Sequence, residues 1–292
     1  MKVLVFGASG MIGSAMFRVL SAHNDLQVWG SMRSDQDAKY FQPGQQEQLV
    51  AGVDVEKPDA LLRIFSRVKP DLVVNCIGLT KHHKVAEDPQ LALPLNALLP
   101  HRMADICALV GARFVHVSTD CVFSGERGDY KESDVPDAAD VYGKSKQLGE
   151  VDYPHAVTLR TSTIGHELHS DYGLLEWFLS QQGRCKGFGR AIFSGLPNTE
   201  FARVVRDVVI PRPELQGLYH VGAAPIDKYE LLQLFAKAYV KSIDIVRDDS
   251  FRMDRSLDSS RFTKATGYQA APWPELVPAQ PGRLGTHLAV AP

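Results

Sequence analysis

The sequence predicts an α/β fold: a doubly wound parallel sheet followed by a smaller, dependent C-terminal lobe. Three observations carry this. Short apolar runs alternate with helical patterns through the first 161 residues. A glycine-rich turn joins the first run to the first helix, and after residue 162 the pattern becomes irregular. Alternation of this kind builds βαβ units whose strands are buried on both faces and whose crossovers are right-handed.

The elements follow in order. Val3–Phe6 is a continuous apolar run and reads as a strand. Met11–His23 has Met11, Ile12, Ala15, Met16, Val19 and Leu20 at helical spacing. Leu26–Trp29 and Leu49–Val53 read as the second and third strands, and Pro58–Arg67 as a helix ended before Lys69-Pro70. Leu72–Asn75 is a strand, Pro94–Val110 a helix stopped by Gly111, and Phe114–Val117 the fifth strand. Tyr142–Val151 reads as a helix and Val157–Arg160 as the sixth strand. Beyond these, Gly173–Gln182 and Lys228–Val240 read as helices and Leu218–Val221 as a strand. The expected division is a dinucleotide-binding domain over 1–162, a substrate-binding lobe over 163–273 that returns some elements to the sheet, and a proline-rich tail over 274–292.

Composition excludes several classes. The chain is 45% hydrophobic and 23% charged, ordinary for a globular protein and unlike disorder or a disulfide scaffold. Lys plus Arg is 32 and Asp plus Glu 34, so no basic field points to nucleic acid or an anionic membrane. Cys76, Cys107, Cys121 and Cys185 form no C-x-x-C pair and no zinc-type spacing, so free thiols in a reducing compartment are expected and no metal site. No apolar run is long enough for a membrane span, and Met1–Phe6 is too short for a signal peptide. These readings describe a soluble cytoplasmic protein.

The turn Gly7-Ala8-Ser9-Gly10-Met11-Ile12-Gly13 has the spacing G-x-x-G-x-x-G between strand and helix. Gly7 permits the tight turn, Gly10 lets the backbone approach a pyrophosphate, and Gly13 lets the helix pack on the strand. The helix N-terminus then offers free N–H groups to the phosphates, which makes this a Rossmann-type site. Gly7, Ser9, Gly10, Met11 and Ile12 are the expected cofactor contacts. After the second strand comes Trp29-Gly30-Ser31-Met32-Arg33-Ser34, with no carboxylate before Asp35. Arg33, helped by Ser31 or Ser34, suits a ribose 2′-phosphate, so NADP(H) is the expected cofactor. Asp54 and Val55 after the third strand, and Cys76 and Gly78 after the fourth, are weaker cofactor contacts.

Tyr142 and Lys146 stand at Y-x-x-x-K spacing, which puts them on one helix face. An ammonium near the phenol is expected to lower its pKa and make it a general acid. Thr119, at the C-terminal edge of the fifth strand, lies where ligands bind in open α/β sheets. Thr119, Tyr142 and Lys146 can therefore converge on one carbonyl oxygen, with Lys146 also reaching the cofactor.

At these residues the chain resembles an extended short-chain dehydrogenase/reductase, and within that class the dTDP-4-dehydrorhamnose reductase family. Val117-Ser118-Thr119-Asp120-Cys121-Val122-Phe123-Ser124-Gly125 is similar to that family's V-S-T-D-Y-V-F-D-G. Tyr142-Gly143-Lys144-Ser145-Lys146-Gln147-Leu148-Gly149-Glu150 is similar to its Y-G-K-T-K-x-x-G-E. The resemblance implies catalytic roles for Thr119, Tyr142 and Lys146, hydride from NADPH, and reduction of a nucleotide-linked 4-keto-6-deoxysugar. Cys121 and Ser124 depart from the pattern and leave the sugar open. Thr161–Glu167 and Phe193-Ser194-Gly195 resemble reductases of UDP-linked 4-keto amino sugars. Sugar-nucleotide dehydratases resemble S-T-D-E-V-Y-G. Cys121 stands at their Glu position and does not supply that acid–base chemistry.

On the substrate side the resemblance points to Arg255, and Lys81, His82, Thr119 and Asp120 are further expected contacts. Arg160, Arg190 and Arg261 are alternative cations for a diphosphate. Adjacent His82 and His83 diverge and are no metal pair. Asn96 is placed to support the site through a water. The expected partner is a nucleotide sugar, with no nucleic acid and no membrane, and a homodimer fits the reading. Two rivals stay open: a nucleotide-sugar epimerase with tightly bound NAD, and a non-catalytic NADP-binding regulatory subunit.

Overall fold

A computed structural model describes residues 1–80, 84–168 and 171–277. Among the described residues there are twelve strands: β1 (Lys2–Phe6), β2 (Gln27–Ser31), β3 (Leu49–Val50), β4 (Leu72–Asn75), β5 (Arg113–Thr119), β6 (Ala156–Thr161), β7 (Thr163–Ile164), β8 (Arg184–Phe193), β9 (Leu196–Pro197), β10 (Gly217–His220), β11 (Ile226–Asp227) and β12 (Asp244–Asp254). Seven form one sheet in the order β10-β6-β5-β4-β1-β2-β3. Each neighbouring pair in it is parallel. This is the doubly wound Rossmann-type sheet, and its strand order reverses between β1 and β4, where such folds bind ligands.

The alternation within each strand explains the two layers. Val3, Val5, Val74, Val115 and Val117 pack with Met16, Phe17, Phe201 and Val205 on one face. Leu4, Phe6, Val73 and Phe114 pack with Leu61, Ile64, Phe65 and Met103 on the other. Successive side chains alternate, so a strand buried on both sides must be apolar throughout. The helix Pro58–Val68 shows the matching helical logic. It begins with proline at its first turn, buries Leu61, Ile64, Phe65 and Val68, and ends at Lys69 in the left-handed region (φ 49°), just before Pro70.

Several expected elements shift. The third strand shortens to Leu49–Val50, because Gly52 turns the chain with φ +75°. The helix bearing Tyr142 and Lys146 runs Val141–Leu148, ended by Gly149. The helix expected over 94–110 opens with a π-helical turn, Leu93–Leu98, before Leu99–Val110. The smaller lobe holds strands the periodicity did not reveal: β8 sits between β11 and β12, with the helix Lys228–Ala238 packed on β8. Residues 274–276, placed in the expected tail, belong to a closing helix, Trp273–Leu276, whose Trp273 and Leu276 are buried in the core.

Candidate active site

A cavity of about 630 Å³ opens at the C-terminal edge of β1, β4 and β5 and extends under the smaller lobe. Its floor is the glycine turn. Gly7 adopts φ +79°, and a Cβ on Gly13 would lie 2.0 Å from the Gly7 carbonyl oxygen, so only glycine lets the Met11–Ser21 helix sit this close. Ser9, Gly10, Met11 and Ile12 line the cavity beside that helix's first turn. First-turn amides lack intrahelical acceptors, so the cradle fits a dinucleotide pyrophosphate. Gly78 faces the same space, with Lys146 Nζ 3.8 Å from where its Cβ would be.

The Val141–Leu148 helix is brought in by two local devices. Asp140 caps it, its Oδ1 accepting from the Gly143 amide at 2.7 Å. A Cβ at Gly143 would stand 2.3 Å from the Cys121 carbonyl, so the glycine inside Y-G-K-S-K lets the helix lie on the turn after β5. Thr119 Oγ1 accepts from the Cys121 amide at 3.1 Å and donates to Asp120 Oδ1 at 3.2 Å. It also hydrogen-bonds the half-buried Tyr142 phenol. Thr119, Asp120, Cys121 and Tyr142 all line the cavity. Lys146 reaches past them, donating to the Val117 carbonyl at 2.8 Å in a buried position.

The electrostatics correct one expectation. Burial, then Cys121, raises the Tyr142 phenol above its ordinary value; the Thr119 bond works against this, and Asp120 and Asp140 add to it. Lys146 is not among the groups that shift it, because its ammonium is turned to the Val117 carbonyl. Tyr142 therefore stays protonated at neutral pH. Burial lowers the Lys146 ammonium to about 8, with Glu150 and Cys76 opposing. Its ordinary value is 10.5, so between pH 8 and 10.5 the unfolded chain binds a proton that the folded chain has released. Over that window native stability is expected to rise with pH by up to about 3 kcal/mol from this group. In a Lys146→Met protein the rise should disappear. Urea unfolding of both proteins from pH 7.5 to 10 checks this, and parallel curves would refute it.

The other predicted residues divide. Arg255 lines the cavity, its guanidinium held by Nε to the Phe123 carbonyl (2.9 Å) and Nη1 to Cys121 Sγ (3.4 Å). Arg160 does not serve the substrate: it is buried, bidentate to Glu150 at 2.7 and 2.6 Å. Arg190 is exposed on β8, and Arg261 lies over the Tyr219 ring. Arg33 is exposed just past β2, and Ser34 is occupied in capping the next turn through the Gln36 amide. Val55 packs into the core and Asp54 pairs with Lys57, so neither lines the cavity. Cys76 also stands off it, its thiol pushed up to about 12 by burial. Asn96 bonds the Leu79 backbone at 2.8 and 3.1 Å and Ser145 Oγ at 3.0 Å. Lys81, His82 and His83 lie outside the described residues.

The structure adds residues the sequence reading passed over. Lys228, at the start of the Lys228–Ala238 helix, and Met253, near the end of β12, line the cavity's far side. Asn198 donates to the Met11 carbonyl at 3.1 Å and fills the space beside Gly165, tying the smaller lobe to the glycine turn. No short motif marks these positions; the Met11 carbonyl that Asn198 meets lies 187 residues away. Among the described residues no His, Cys, Asp and Glu group could hold a metal, and no helix is long and apolar enough to cross a membrane.

A Rossmann-type sheet with a strand-end threonine, a Y-x-x-x-K helix and a glycine cradle in one cavity defines an extended short-chain dehydrogenase/reductase, a class of oxidoreductases. The chain belongs to the RmlD substrate binding domain family, whose model matches residues 1–183. It is 32% identical over 169 residues to a probable low-salt glycan biosynthesis reductase of Haloferax volcanii, covering 56% of this chain and 54% of that one, about half that relative's length. It is 28% identical over 234 residues to dTDP-4-dehydrorhamnose reductase of Salmonella typhimurium, covering 76% and 73%. It is 27% identical over 259 residues to methionine adenosyltransferase 2 subunit beta of Xenopus tropicalis, covering 82% and 72%. Among solved structures, a hypothetical dTDP-4-dehydrorhamnose reductase from Sulfolobus tokodaii superposes with a TM-score of 0.76 at 24% identity, covering 94% and 98%. The Bacillus anthracis reductase in complex with NADP superposes with a TM-score of 0.76 at 18% identity, covering 94% and 96%. At these identities the superpositions establish the shared fold.

Proposed function

We propose that the protein reduces the 4-keto group of a nucleotide-diphospho-6-deoxysugar with NADPH, in cytoplasmic synthesis of a surface-polysaccharide precursor. The observation that carries this reading is the convergence of Thr119, Tyr142 and the glycine cradle on one cavity, with Lys146 behind them. The relatives named as reductases support the chemistry, and the relative solved with NADP supports the cofactor. When bound, the cofactor supplies hydride. The chain's part is to hold the carbonyl oxygen between the Thr119 and Tyr142 hydroxyls, stabilise the charge that develops there, and transfer the Tyr142 proton to it. Lys228 and Arg255, at the far side of the same cavity, suit the substrate's diphosphate.

NADPH consumption with a panel of dTDP- and UDP-linked 4-keto sugars, followed by product identification, tests the proposal. No turnover across the panel, with NADPH still bound, would favour the non-catalytic subunit reading that the methionine adenosyltransferase relatives raise. Turnover without added NADPH would favour an epimerase. For the cofactor, Arg33→Ala is expected to lower the NADPH-over-NADH preference about tenfold, the loss of one exposed charged contact. An unchanged ratio of kcat/KM values would remove Arg33 from the site.

A further inference from the structure

Behind the substrate side of the cavity lies a chain of polar groups. His166 Nδ1 stands 2.7 Å from Glu176 Oε1, and its Nε2 stands 2.9 Å from the Tyr239 hydroxyl. The His166 and Glu176 side chains are only 12% and 10% exposed, and the Tyr239 ring meets the imidazole edge-on at 5.6 Å. These three residues come from three elements: the loop after β7, the helix Leu174–Ser180, and the C-cap of the helix Lys228–Ala238. With a neutral imidazole the assignments close. Nδ1–H donates to the carboxylate, Nε2 accepts the phenol proton, and both ring nitrogens are satisfied. Burial and the Glu176 charge raise the Tyr239 phenol, consistent with its acting as the donor.

The position of this chain gives it a use. Gly165, Glu167 and Leu168 on one side of it, and Gly173 and Leu174 on the other, line the cavity, whereas His166, Glu176 and Tyr239 stand behind that wall. Glu167 Oε2 accepts from the Gly173 amide at 2.9 Å, tying the wall's two parts together. Lys241 Nζ, just past the helix Lys228–Ala238, donates to the Leu179 carbonyl at 2.9 Å and ties that end to the helix Leu174–Ser180. The helix that carries Tyr239 at its end carries Lys228, which lines the cavity, at its start. Moving the imidazole therefore moves the wall relative to Lys228 and the catalytic face.

We propose that His166, held between Glu176 and Tyr239, is a positioning residue of the substrate site that sets the smaller-lobe wall against Thr119 and Tyr142. The assignment rests on the reductase reading for its kinetic consequence, but not for its structural one. In the full chain, His166→Asn should raise KM for the sugar nucleotide about fivefold, the worth of one or two buried hydrogen bonds, with kcat and the NADPH KM within about twofold. Hydrogen exchange should quicken in peptides spanning 163–168 and 173–180 and stay unchanged in β5 and the catalytic helix. Tyr239→Phe keeps the ring and removes one bond, and should give a smaller KM rise of about two- to threefold. It serves as the test if His166→Asn does not fold. Equal losses in kcat and in both KM values, or exchange unchanged in the two peptides, would overturn the proposal. If wild-type protein reduces no 4-keto sugar, the reductase reading fails by itself. The wall is then read by calorimetric binding of dTDP and UDP together with the exchange data, and unchanged affinity and exchange in His166→Asn would overturn the positioning role.

Discussion

A Tyr142→Phe protein is expected to bind NADPH normally and to reduce its sugar nucleotide about 10³-fold more slowly. The phenol faces the cavity and meets the Thr119 hydroxyl, and burial and nearby Cys121 and Asp120 keep it protonated. In the proposed reaction its loss removes proton delivery to the nascent alkoxide and one of the two hydroxyls that stabilise the developing charge. A thousandfold change corresponds to about 4 kcal/mol in the barrier, more than uniform binding effects of one exposed contact produce. Phenylalanine keeps the ring, so packing on the turn after β5 is preserved. The loss should fall on kcat, with KM for both substrates within a small factor. Steady-state kinetics with fluorescence titration of NADPH checks this, and activity within tenfold of wild type would assign the proton to another group.

Arg160→Met is expected to have the largest effect on stability, about 3–5 kcal/mol. The Arg160 side chain is 3% exposed and its partner Glu150 is 11% exposed. Glu150 also accepts the Ser118 hydroxyl at 2.6 Å, and Arg160 reaches His220 Nε2 at 3.2 Å and covers the Phe123 ring. Removing the guanidinium leaves a carboxylate without its ion partner in low dielectric, which is the costly case. Replacing both partners is far cheaper, so Arg160→Met with Glu150→Leu should recover much of the loss. His220 gives a second readout. Burial, then Arg160, lowers it to about 4, so without the guanidinium its pKa should move up. Urea unfolding of the three proteins decides the matter, and a single-variant loss below about 1 kcal/mol would show that the pair is solvated in solution.

The legible parts of the site share one property: each is written within a few residues. The cradle follows from glycines at 7, 10 and 13, and the Tyr142–Lys146 face from a four-residue spacing. Thr119 follows from its place at a strand end. The small lobe was less legible. β8 and β12 carry exposed charged residues, and β12 departs from regular pairing with β8 between Asp248 and Arg252, which blurs a period of two. Arg160 and Arg255 look alike as isolated cations. Glu150, ten residues before Arg160, pairs with it, and that pairing decides which arginine is structural.

The sequence by itself determined the order of βαβ units, the nucleotide cradle and the helical pairing of Tyr142 with Lys146. Local backbone sterics and the period of apolar residues specify such features. Only the tertiary structure decided which cations face the cavity and that Lys146 bonds to the Val117 carbonyl. It also showed that the Tyr142 phenol is raised, and that His166, Glu176 and Tyr239 meet behind the substrate wall. These depend on burial and on contacts between residues far apart in the chain, and the free energy of a charge or a proton is set by those surroundings.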